Sequence, residues 1–65
     1  MYKQTRGESI YTYYRKGNAL WCNIDTGSIH TSHRIYKVNT DRPYIRWGGL
    51  FFYLGEEEKE IIKNI

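Results

Sequence analysis

The sequence predicts a mainly β fold: a small antiparallel meander of about five strands, closed as an SH3-like or OB-like barrel or left as a curled sheet, with a short C-terminal α-helix. Three observations carry this. Runs rich in Tyr, Trp, Phe and Ile alternate with short connections holding Gly, Asn or Asp, the mark of tight hairpins. No helical segment lies between those runs, so consecutive strands pair antiparallel. The final segment, EEEKEIIKNI, changes period and reads as a helix.

The elements follow in order. IYTYYR (10–15) and ALWCNID (19–25) flank KGN, and SIHTSHRIYKV (28–38) follows TG. PYIRW (43–47) and LFFYL (50–54) flank Gly48-Gly49. Residues 1–9 form an N-terminal arm or an edge strand, 10–54 the meander and 56–65 the helix, all within one domain spanning 1–65. The helix has glutamates at its start and Lys63 near its end, which suits its dipole. Ten residues are marginal alone, so it must dock, through Ile61, Ile62 and Ile65.

A chain of 65 residues has a thin core, burying only about 60% of its unfolded surface. One cysteine, Cys22, allows no internal disulfide and no zinc-spaced pair, and reads as a reduced, buried side chain. Seven Tyr, two Trp and two Phe offset the thin core, since each buries a large area. No apolar run could span a membrane, and none follows the charges of MYKQTRGES as in a secretory signal. A cytoplasmic location is expected. The wealth of Tyr, Ile, Lys and Asn, encoded by AT-rich codons, points toward an AT-rich bacterium or phage.

Alternation assigns the faces. A two-residue turn at Gly48-Gly49 pairs Trp47 with Leu50, Arg46 with Phe51, Ile45 with Phe52 and Tyr44 with Tyr53. Pro43, Ile45, Trp47, Leu50, Phe52 and Leu54 then form an apolar core face, while Tyr44, Arg46, Phe51 and Tyr53 face outward. A four-residue connection NTDR would pair Lys37 with Tyr44 and Tyr36 with Ile45. That register puts Tyr36 and Val38 in the core, and Lys37 and Ile35 outside. A turn at Gly17-Asn18 buries Tyr11, Tyr13, Leu20, Cys22 and Ile24 and leaves Tyr14, Lys16 and Trp21 outside. Along 28–38, Ile29 fits one phase and Tyr36 and Val38 the other, so a bulge near Ser32-His33 is expected.

Few residues invite chemistry. His30 and His33 lie three apart and point to opposite faces of a straight strand, so they share a metal only across a bulge. Cys22 could approach His33 on the core side, but no third ligand is evident, and Asp25 and Asp41 read as turn residues. The glutamates at 56–58 read as a solvated helix start, and no spaced carboxylate pair or phosphate loop is present. No enzyme activity, cofactor or metal is expected.

Charge and aromatics together suggest binding. Residues 1–55 hold eight Lys/Arg against three Asp/Glu, whereas the tail is acidic. A basic body with aromatics on one sheet face suits nucleic acid, DNA or RNA. Tyr44, Phe51 and Tyr53 would stack on bases, and Arg34, Lys37, Arg42 and Arg46 would meet phosphates. Other coverings of the same face are the chain's own helix, a second copy in a homodimer, or a larger host protein. The last would make the chain a phage- or plasmid-type interaction module that modulates, or inhibits, its partner.

Overall fold

The computed structural model describes residues 1–36 and 42–65. Six strands form one open antiparallel sheet in sequential order, followed by one helix. They are β1 (Tyr2–Arg6), β2 (Ser9–Lys16), β3 (Ala19–Thr26), β4 (Ile29–Tyr36), β5 (Tyr44–Trp47), β6 (Leu50–Tyr53) and α1 (Glu56–Lys63). The expected N-terminal arm or edge strand is therefore the edge strand β1, a sixth strand. Among the described residues no helix is long and apolar enough to cross a membrane.

Two-residue turns set the meander. Those at residues 7–8, 17–18 and 27–28 open on a glycine with positive φ, the demand of a type II′ hairpin. Gly48-Gly49 needs positive φ at both positions, 59° and 81°, so it is a type I′ turn, in which two L side chains would both be strained. That turn delivers the expected pairs, Trp47–Leu50 through Tyr44–Tyr53.

Directly opposed residues share a face, so one inner face runs across all six strands. Its centre is buried: Tyr13, Cys22, Ile24, Ile35 and Ile45, with Leu54 beyond β6. The helix docks on this side, contributing Ile61 and Ile62, while Ile65, Tyr11 and Leu20 pack around them. A partly buried polar chain ties β1, β2 and α1 together. The Tyr13 hydroxyl donates to Gln4 Oε1 at 2.7 Å, and Gln4 Nε2 donates to Glu58 Oε2 at 3.1 Å. Glu58 Oε1 accepts from the Gly55 N–H at 3.2 Å and faces Arg6 Nη1 at 3.6 Å.

Three expectations are corrected. First, β4 pairs with β5 one residue away from the predicted register: Ile35 stands opposite Ile45 and Tyr36 opposite Tyr44. Ile35 is thus buried in the core, and Tyr36 lies on the outer face. An inward Ile is the better burial, since Tyr would carry a hydroxyl into the interior without a partner. Second, β4 pairs with β3 without a break from Ile29 to Ile35, so no bulge forms at Ser32-His33. Once Tyr36 faces outward, Ile29, Thr31, His33 and Ile35 share one phase and nothing remains to reconcile. Third, Trp47, Leu50 and Phe52 do face inward, yet they stay 43, 63 and 46% exposed. They lie toward the hairpin tip, beyond the part of the inner face that α1 covers. Val38 and the connection through Asp41 lie outside the described residues.

Candidate functional site

The outer face of the sheet carries a chain of alternating rings and cations that crosses five strands. It begins where Lys16 Nζ lies 5.9 Å from the centre of the Trp21 ring, on β2 and β3. Trp21 stands opposite Arg34 of β4, whose guanidinium lies 5.4 Å from the Tyr36 ring. Tyr36 stacks on Tyr44 of β5, with centroids 5.5 Å apart and planes at 22°. Tyr44 meets Phe51 edge-on at 5.4 Å and Tyr53 at 5.8 Å, both on β6. Arg46 covers Phe51 at 5.4 Å, and Arg42 covers Tyr53 at 5.5 Å.

This order follows from the sheet. Strand neighbours are about 4.8 Å apart, so rings at paired positions must touch. A cation two residues away, or on the next strand, falls beside a ring at the same height. The rings hold the long cationic side chains over apolar area, which restricts the rotamers those side chains adopt. Phe51 and Tyr53 each remain 57% exposed, enough to offer a flat surface.

The six site residues predicted from sequence that fall within the described part, Arg34, Arg42, Tyr44, Arg46, Phe51 and Tyr53, all join this one surface. Lys37 lies outside the described residues. Tyr36 was missed because the expected register turned it inward. Alternation puts Lys16 and Trp21 outside, but their continuity with the β5–β6 hairpin depends on β4 lying between them. The helix does not cover this surface, because Ile61 and Ile62 bury against the opposite face.

Charge is segregated to match. Among the described strand residues the carboxylates reduce to Asp25, which sits at the far end of β3 and pairs with His30. The glutamates of α1 lie with the helix on the other side of the sheet. The stripe itself is cationic and aromatic throughout.

His30, His33 and Cys22 sit in different surroundings. His30 is exposed on the outer face, whereas His33 is buried on the inner face, its ring 4.5 Å from Trp47 and hydrogen-bonded to Thr31 Oγ1 at 2.9 Å. Cys22 does stand opposite His33. Burial pushes its thiol up to about 12, which leaves it protonated and unreactive near neutral pH. Among the described residues no three His, Cys, Asp or Glu side chains converge as a metal site would need.

No family model matches this chain, and no curated protein or solved structure matches it either.

Proposed function

We propose that this protein binds nucleic acid through the outer face of its sheet, with little sequence preference. The observation that supports this best is the continuous ring-and-cation stripe from Lys16 to Arg42, left uncovered by the helix. Exposed rings stack on any base, and flanking cations neutralise phosphates, so single strands are the favoured ligand. The reduced, buried Cys22 fits a cytoplasmic setting.

The test is anisotropy of labelled single-stranded and duplex DNA and RNA over a salt series. Binding to single strands should weaken steeply with salt, by about 0.7 log unit per log unit of salt for each phosphate neutralised. Arg46→Ala should flatten that slope by roughly one such contact. Tyr53→Ala should cost about 1–3 kcal/mol of affinity at any salt, as for loss of a stacking ring. Neither change should alter the fold, since both side chains are exposed. Absence of binding by every probe at low salt ends the proposal.

A second reading has its own support: the exposed inner-face side chains Trp47, Leu50 and Phe52 suit a protein interface. As a module docking on a larger host protein, the chain would lose its partner on Trp47→Ala while keeping any affinity for single strands. An interaction that nuclease treatment abolishes, or that survives Trp47→Ala, would count against this reading.

A further inference from the structure

The two edges of the sheet differ. β1 carries Lys3 and Arg6 among polar neighbours, the usual guard against an added strand. β6 reads Leu-Phe-Phe-Tyr, with no charge, no proline and no bulge, and all four residues are exposed. An apolar edge of this kind recruits another strand.

The register shows which backbone groups are open. Bonded and non-bonded pairs alternate along an antiparallel ladder, and the pair flanking a two-residue turn is bonded. Trp47–Leu50 flanks the turn, and the Leu54 N–H donates to Pro43 O at 2.9 Å, in step with it. Leu50, Phe52 and Leu54 therefore turn their polar groups toward β5. Phe51 and Tyr53 turn theirs to the open side, where among the described residues no strand meets them.

We infer that a second copy of this chain pairs there, β6 against β6, about a two-fold axis midway between the two Phe52 residues. A two-fold pairing that continues the sheet must set like face against like face, so one residue must stand opposite its own symmetry mate. Centred on Phe52, it sets Phe51 of each copy opposite Tyr53 of the other, and each such pair exchanges both of its N–H···O bonds. Phe52 meets Phe52 on the inner side, at the rim of a groove of about 640 Å³ that Trp47, Leu50 and Arg6 also line. β6 itself bears no charge, and the nearest cations, Arg42 and Arg46, lie over the Tyr53 and Phe51 rings on the outer face rather than in the ladder. The outer sides of Phe51 and Tyr53 stay open, so the stripes of two copies join into one surface. That consequence rests on the proposed nucleic-acid reading, but the pairing itself does not.

Sedimentation equilibrium of the full chain, free of nucleic acid, tests it. The mass should rise with concentration to twice the monomer's 7.8 kDa. A chemically synthesised chain N-methylated at Phe51 keeps every side chain but loses the open donor. Its dimer should be weaker by about tenfold or more, with unchanged far-UV circular dichroism. N-methylation at Thr5, at an open position of β1, should leave dimerisation intact. A monomer at all concentrations overturns the inference, as does a Phe51-methylated chain that dimerises as tightly as its parent, or a dimer lost on Thr5 methylation. A dimer that binds no nucleic acid would sink the proposed function and leave this pairing standing.

Discussion

Cys22 and Tyr13 are fully buried and un-ionised, and this sets how the fold meets alkali. Burial raises both groups above their ordinary values of 9.0 and 10.0, Cys22 to about 12 and Tyr13 further still; nearby Cys22 and Glu58 add to the shift of Tyr13. The unfolded chain therefore releases these protons first, and rising pH favours it. Stability should hold below about pH 9 and fall as pH climbs toward 12, and Cys22→Ala should soften the early part of that fall. Urea unfolding midpoints across that range check it; a flat profile refutes it. Glu58 is the other sensitive residue. It is buried against Gln4, Arg6 and the Gly55 N–H, and a Cβ on residue 55 would lie 3.0 Å from its Oε1. Glu58→Ala should cost about 1–3 kcal/mol by stranding those donors, measured by the same unfolding.

At the scale of elements, α1 is held by burial more than by its own propensity. Ile62→Ala should cost about 2–4 kcal/mol, whereas Lys63→Ala, on the exposed side, should stay within about 0.5. Thermal or urea unfolding separates the two. The β5–β6 hairpin was legible in the sequence to the residue, because Gly48-Gly49 permits one turn and that turn dictates the pairs. The β4–β5 register was not. Its connection is longer than a two-residue turn, so local chemistry left Ile35 and Tyr36 to compete for the inner position. β1 was only half legible, because its inward residues Tyr2, Gln4 and Arg6 are mostly polar and show no apolar alternation. Gln4 and Arg6 face inward to reach Tyr11, Tyr13 and Glu58.

For the whole molecule, the sheet divides labour between its faces. The inner face supports the core and helix and leaves an apolar rim at the hairpin tip; the outer face gathers the basic, aromatic stripe. Residue order alone reveals the strand class, the turns, the docking isoleucines and which hairpin side chains share a face. These are local matters, governed by glycine conformation and by the two-residue period of a strand. Long-range packing settles that α1 lies on the inner face, that β4 carries Tyr36 into the stripe, and that Lys16–Trp21 lies in line with Tyr44 and Tyr53. Those outcomes depend on residues far apart in the chain competing for one thin core. That core is too small to bury Trp47, Leu50 and Phe52 as well, and so their inward orientation, readable from alternation, did not become burial.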